Sequence, residues 1–245
     1  MSGGIDSALV AAIAADALGA ENVTTIALPT EFNAEESTIL AGILAENLGT
    51  NHMVVPIQAA YESINTIFQA GVAPGMGLPQ ENMQSRLRTI VLMGFANRTG
   101  AVNLGGSNKS EAFVGYSTLF GDLGAGYFPI ADVVKTDVYA LASLVNSKKE
   151  IIPQRIIDRP PSGELNPDQL DENDLPSYEI IDAVIKVVVE GAPIESISWI
   201  DPEILADLKK LFYRAEHKRD QMARLTKVTP RSFGIEWNKS TTRRY

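Results

Sequence analysis

Ser2-Gly3-Gly4-Ile5-Asp6-Ser7 leads into a helix candidate, Ser7 to Leu18, rich in Ala, Leu and Ile and stopped by Gly19. Two adjacent glycines let backbone amides approach a ligand without obstruction by a Cβ. Ser2 and Ser7 add hydroxyl donors, and the helix behind them aims its positive end at the same point. Together these groups make a cradle for a pyrophosphate-like anion. Asp6 would repel a bare phosphate, so its place in the loop points to a bridging Mg²⁺. The stretch is not a Walker loop, because no Gly-Lys-Ser/Thr ends it. Nor is it a dinucleotide fingerprint, because the Gly-x-Gly-x-x-Gly spacing is absent. An ordinary helix cap with two turn glycines is the competing reading.

Beyond this loop, helix and strand patterns alternate. Val23 to Leu28 is β-branched, short and ended by Pro29, as a buried parallel strand would be; Asn51 to Pro56 repeats the pattern. A helix candidate lies between them, Asn33 to Leu48, with Asn33 as N-cap and Glu35 and Glu36 in its first turn. Gln58 to Ala70 reads as helix, Gly71 to Gln80 as loop, Glu81 to Asn97 as a long helix and Ala101 to Leu104 as a short strand. Lys135 to Val145 is an amphipathic helix, Pro153 to Pro176 a proline-rich surface loop, and Tyr178–Val189, Pro202–Tyr213 and roughly Arg214–Leu225 are helical. Strands separated by helices imply an α/β fold, a parallel sheet with helices on both faces. A glycine loop of this kind normally hangs from a strand, and none precedes Ser2. The expectation is therefore that the first strand is missing and that Met1 is a misplaced or engineered start.

The 245 residues, 45% hydrophobic and 21% charged, suffice for one domain spanning 1–245 and rule out a disordered chain. The absence of cysteine excludes a disulfide framework, a thiolate metal site and a cysteine nucleophile. The longest apolar run, Ala8 to Ala15, is far short of the roughly 20 residues of a membrane helix, and nothing resembles a signal peptide. A cytoplasmic protein without membrane contact is expected. From Lys209 onward there are eleven Lys/Arg against three Asp/Glu, whereas the preceding residues carry ten against twenty-seven. An acidic body argues against nucleic-acid binding, and the basic end is either a solvated helix and tail or a surface for something anionic.

A second glycine-rich stretch, Gly100 to Ser110, lacks Walker spacing but follows a strand candidate and ends at Glu111. Ligands in parallel α/β folds sit at the carboxyl ends of strands, where Glu111 would face the same cleft as Asp6. Two carboxylates beside a phosphate cradle make a Mg²⁺ site; Glu111 alone would equally suit a helix-start acid.

These residues resemble the N-type ATP pyrophosphatases, whose pyrophosphate loop is SGGIDS, and within them the NAD synthetase family. The matching stretches are Glu81–Arg88 (ENMQSRLR), Asn108–Asp122 (NKSEAFVGYSTLFGD), Pro129–Ala142, Pro160–Tyr178 and Glu216–Gln221 (EHKRDQ). The DENDLPSY run and Lys227–Gly234 are more similar to the synthetase domain of the glutamine-dependent branch.

The resemblance implies an adenine nucleotide alpha hydrolase-like fold and a carbon–nitrogen ligase. Deamido-NAD would be adenylated by Mg-ATP and amidated by ammonia, giving NAD, AMP and pyrophosphate. It implies ATP contacts from Ser2, Gly3, Gly4, Ile5, Asp6, Ser7, Gly106, Lys135 and Ser162, and Mg²⁺ on Asp6 and Glu111. Asp6, Glu111 and Lys135 would be the catalytic set. Deamido-NAD would be met by Asn82, Arg86, Glu111, His217 and Lys218, and the enzyme would be a homodimer. Three departures stand out. Gly106 replaces a family threonine. Leu119 and Gly126 replace a Lys and an Asp of ammonia-dependent members. No glutaminase domain with its catalytic cysteine is present in these residues, so ammonia would be free, a separate glutaminase would feed it, or the chain is a fragment. A truncated or degenerate nucleotide-binding module without turnover is the alternative.

Overall fold

A computed structural model describes residues 1–166 and 169–237. Two parallel strands, β1 (Thr24–Ala27) and β2 (Asn51–Val54), pair with Thr24 opposite Asn51 and Ala27 opposite Val54. Helices α1 (Ile5–Leu18) and α2 (Glu35–Leu48) alternate with them in the chain. Side chains alternate across a strand, and one set of β1 packs on helices that follow β2. Ile26, with Leu28 just beyond the strand, packs against Ile57, Tyr61, Met83 and Leu87. These come from the entry to and body of α3 (Gln58–Ile67) and from α4 (Leu78–Thr99). Val23 O and Ala27 O accept from Asn51 N and Val55 N at the β2 side, which leaves Ile26 O on the other edge, where the Met1 ammonium donates to it at 2.5 Å.

Two further cores flank this unit. Ile5, Leu9, Leu40 and Leu44 of α1 and α2 pack against Val138 and Ala142 of α6 (Lys135–Val145) and Ile156 of α7 (Gln154–Asp158). Phe113 of α5 (Lys109–Val114) joins Ile181 and Ile185 of α8 (Tyr178–Val188) and Leu208 and Phe212 of α9 (Pro202–Arg214). The Phe113 and Phe212 rings stack at 4.6 Å. α10 (Glu216–Arg219) closes the second core from the carboxyl side. Among the described residues no helix is long and apolar enough to cross a membrane.

Several boundaries differ from the sequence-based expectations. Asn33 is not the cap of α2. That place falls to Ala34, while Asn33 Oδ1 accepts from Thr30 N at 2.9 Å and from Arg88 Nη2 at 2.8 Å. The loop from Gly71 ends early, because Gly77 at φ 132° and Pro79 in the first turn start α4 at Leu78. Ala101–Leu104 is not a strand. Only Leu104 forms a bridge, to Tyr127, and Asn103 O takes amides from Gly126 and Tyr127. The loop after Gly106 contains α5, started by a reciprocal cap between Asn108 and Glu111. The proline-rich stretch holds the short α7. Of Arg214–Leu225 only four residues beyond α9 are helical, as Arg219 turns inward to the carbonyls of Ala112, Phe113 and Phe212. Of the basic carboxyl end, residues 238–245 lie outside the described residues.

Candidate active site

The amino end of α1 faces a cavity of about 580 Å³. Gly4 caps the helix without a side-chain acceptor, so the first-turn amides face outward. The loop before it is folded on itself: Ser2 N donates to Ser7 Oγ at 3.2 Å, Gly4 N to Ser2 Oγ at 3.3 Å, and Ser7 Oγ to Gly4 O at 3.0 Å. Gly3 sits at φ +83°, and a Cβ there would lie 2.4 Å from Ser37 O. Only glycine satisfies both the left-handed backbone and that close approach.

Asp6 is the junction. Its Oδ2 lies 2.5 Å from Lys135 Nζ and its Oδ1 accepts from Asn108 Nδ2 at 2.9 Å. Lys135 opens α6 with its side chain 2% exposed, and its ammonium is also 3.8 Å from Glu111 Oε1. Glu111, third residue of α5, accepts from Asn108 N through Oε2 at 3.2 Å. Glu111 is therefore a helix-start acid and a cavity residue at once. Burial, with Asp6 adding to it against Lys135, pushes its carboxyl up to about 8. For Lys135, burial is outweighed by the Asp6 and Glu111 carboxylates, and the ammonium is held above its usual value. Two carboxyl groups share one ammonium, and the excess negative charge they would carry together is relieved by Glu111 keeping its proton. Oxygen donors in this condition suit a hard dication such as Mg²⁺.

The remaining expected residues separate by position. Gly106 lines the cavity, and a Cβ there would stand 3.8 Å from Ser7 N, so a larger residue has room. Ser162 lines it too, its hydroxyl donating to Gln169 O at 2.5 Å. Asn82, Lys218 and the loop 115–124 form another wall. Thr118 Oγ1 donates to Asn82 Oδ1 at 2.6 Å, and Lys218 Nζ donates to Gly115 O and Ser117 O at 2.6 Å each. Burial lowers the pKa of Lys218. Arg86 and His217 are not among the cavity-lining residues. Both are exposed; Arg86 Nε donates to Leu119 O at 3.1 Å on the outer side of that loop.

Arg88, Arg159 and Asp171 line the cavity but fall outside the expected site set. Arg88 donates to Leu28 O at 3.2 Å as well as to Asn33, and its burial lowers the guanidinium to about 10. Arg159 reaches Ser37 Oγ at 2.8 Å and Glu164 at 2.6 Å. Asp171, 4% exposed, accepts from Tyr178 OH at 2.7 Å; burial raises both groups. Arg88 and Arg159 each bond to a residue far off in the chain, Asn33 at 55 positions and Ser37 at 122. Asn108, also missed as a site residue, did have a readable signal, since Asn-x-x-Glu is a capping-box pattern.

Comparison with known proteins places the chain in a family. The family model for NAD synthase matches residues 1–222. The chain is 43% identical over 244 residues to the glutamine-dependent NAD(+) synthetase of Synechocystis sp., covering 97% of this chain and 43% of that protein. It is 39% identical over 254 residues to the enzyme of the same name from Thermotoga maritima, covering 100% and 44%. The chain thus spans less than half the length of these curated relatives. Among solved structures, NMN synthetase from Francisella tularensis superposes with a TM-score of 0.76 at 28% identity, covering 94% of this chain and 86% of that one. Glutamine-dependent NAD+ synthetase from Acinetobacter baumannii, in complex with ADP, gives 0.63 at 33% identity, covering 98% and 44%. With nearly its whole length matched, the chain belongs to the NAD synthase family.

Proposed function

We propose that this chain is a synthetase domain, residues 1–245, that makes NAD by adenylating deamido-NAD with ATP and amidating the product with ammonia. The observation that carries the reading is the meeting of the α1 amino end, Asp6, Glu111 and Lys135 in one cavity. The nicotinate carboxylate attacks the α-phosphorus of ATP, and the bond to the β-phosphate oxygen breaks. Amides of the Ser2–Ser7 loop and the Lys135 ammonium take up the charge that passes to the leaving pyrophosphate. Ammonia, free or glutamine-derived, then attacks the activated acyl carbon. AMP departs with the carboxylate oxygen, and the extra proton on nitrogen is lost to water or a nearby base. Asp6 and Glu111 would hold Mg²⁺, which when bound neutralises the phosphate charge. Asn82 and Lys218 would contact the dinucleotide in the cavity, with Gly106 and Ser162 beside ATP.

Arg86 and His217 stand outside the cavity. Arg86 shares an outward face of α4 with Ile90, 64% exposed, and Met93, 38% exposed. An exposed apolar stripe supports a homodimer with the deamido-NAD site reaching its boundary. A cytoplasmic location follows from the same reading. The alternative of a module without turnover gains no support from the geometry, since Asp6, Glu111 and Lys135 meet in one cavity.

The test is incubation with deamido-NAD, Mg-ATP and ammonium or glutamine, following NAD, AMP and pyrophosphate in equal amounts. Nicotinate mononucleotide is the control carboxylate, given the likeness to a protein named NMN synthetase. Binding of Mg-ATP with no amide product from either carboxylate would overturn the proposal.

A further inference from the structure

α6 begins without a cap of its own: Val134, at the N-cap, has no side-chain acceptor. Its first two amides are satisfied from elsewhere. Lys135 N donates to Ser110 Oγ at 2.8 Å, and Thr136 N donates to Asp182 Oδ2 at 2.9 Å. The Ser110 hydroxyl in turn donates to Asp182 Oδ1. Ser110 is wholly buried on α5, and Asp182 is 3% exposed on α8. The cap of this helix is thus assembled from two other helices, 25 residues before it and 46 after it.

Both oxygens of Asp182 accept hydrogen bonds, so the group acts as a carboxylate. Burial works against that state, and the Ser110 and Thr136 donors support it. A negative charge at this point faces the positive end of α6. Neither Ser110 nor Asp182 lines the cavity. Yet the residue whose amide they hold is Lys135, whose ammonium spans Asp6 and Glu111. Ser110 also precedes Glu111 directly, so one buried knot fixes the backbone origins of both the ammonium and one of its carboxylates.

We propose that Ser110 and Asp182 are positioning residues for Lys135, setting its ammonium against the anion cradle of α1. The inference rests on the reading of Lys135 as a phosphate ligand, and deepens it by naming what holds the lysine in register. Its physical content is coupling: loosening the knot matters for nucleotide only while Lys135 is present. A cap serving stability alone would lack that dependence.

Asp182→Asn keeps volume, removes the charge and can turn only one oxygen acceptor toward the two donors. Mg-ATP affinity is measured by calorimetry for the unmodified protein, Asp182→Asn, Lys135→Ala and the double variant. Asp182→Asn is expected to weaken Mg-ATP binding by about tenfold, the scale on which supporting hydrogen bonds tune a site. In the Lys135→Ala background the same change is expected to stay within about twofold, as coupled residues behave. Equal weakening in both backgrounds, or none in the first, overturns the positioning role. If Lys135→Ala itself leaves Mg-ATP affinity unchanged, the reading of Lys135 as a phosphate ligand fails first. Ser110→Ala, which removes the hydroxyl that holds Lys135 N, runs the same cycle should Asp182→Asn not fold.

Discussion

Glu111→Gln is expected to stabilise the ligand-free protein at neutral and mildly alkaline pH while removing its activity. Glu111 is buried beside Asp6, and its carboxyl is pushed from 4.5 up to about 8. Between those values the unfolded chain has released this proton and the folded chain has kept it. Stability must therefore fall as pH rises across the window. At roughly 1.36 kcal/mol per pH unit, the displacement sets a ceiling of about 4–5 kcal/mol. Relaxation and water entry reduce what is realised, and about 2–3 kcal/mol between pH 5 and 8 is the working expectation. The amide oxygen introduced by the substitution would still accept from Asn108 N, so the cap that starts α5 survives and only the titration is removed. Urea unfolding of both proteins in chelator at pH 5, 6.5 and 8 reads the difference directly, since other titrating groups largely cancel. Mg-ATP, by binding the folded wild type preferentially, should reverse the order. A difference that is flat with pH, or that favours the wild type at pH 8 in chelator, would refute the placement of Glu111 as a strained, protonated acid.

Three further outcomes follow from the same geometry. Gly3→Ala forces an L-residue to φ +83° against Ser37 O, and should cost about 2 kcal/mol or more in urea unfolding while weakening pyrophosphate binding; unchanged stability would contradict the loop conformation. Asp6→Asn removes the closest partner of Lys135 and should lower ATP–pyrophosphate exchange by about 100-fold or more, an effect absent if the loop does not hold the leaving group. Ile90→Asp places a charge on the exposed α4 stripe and should shift sedimentation from dimer to monomer with the helical spectrum unchanged; a wild type already monomeric at micromolar concentration would end that reading.

The parts of the fold carried by local periodicity were readable: α1, β1, β2, α3, α6, α8 and α9 lie within a few residues of expectation. The glycine turn that opens α1 was readable too, because its conformation is written in six consecutive residues. What escaped was set by distant partners. Asn33 looks like a cap from its neighbours, but the Arg88 guanidinium from α4 competes for its oxygen. Ala101–Leu104 has strand composition, yet a strand needs a ladder, and only Leu104 obtains one, from Tyr127. Arg86 and Asn82 are four residues apart on one helix, as spacing required. Loop 115–124 nevertheless comes between them, leaving Asn82 in the cavity and Arg86 outside it.

The electrostatics of the cavity connect these pieces. Asp6 and Glu111 lie around the Lys135 ammonium, which is also 5.4 Å from the Tyr178 ring, and Asp171 lines the same cavity. Burial is the main cause that raises both Glu111 and Asp171, and the Asp6 carboxylate adds to it in each. In the ligand-free protein Glu111, raised to about 8, therefore keeps its proton at neutral pH. A metal-bound polyphosphate would bring a dication for the carboxylates and an anion for Lys135 and the α1 amides together. Neither component alone restores the balance: the anion adds to the excess, and the cation leaves the cradle amides unfilled. Nucleotide and metal should consequently bind as one unit, with proton release on binding between about pH 6 and 8. Calorimetry in buffers of different ionisation enthalpy measures that release, and its absence would mean that Glu111 enters the complex already ionised.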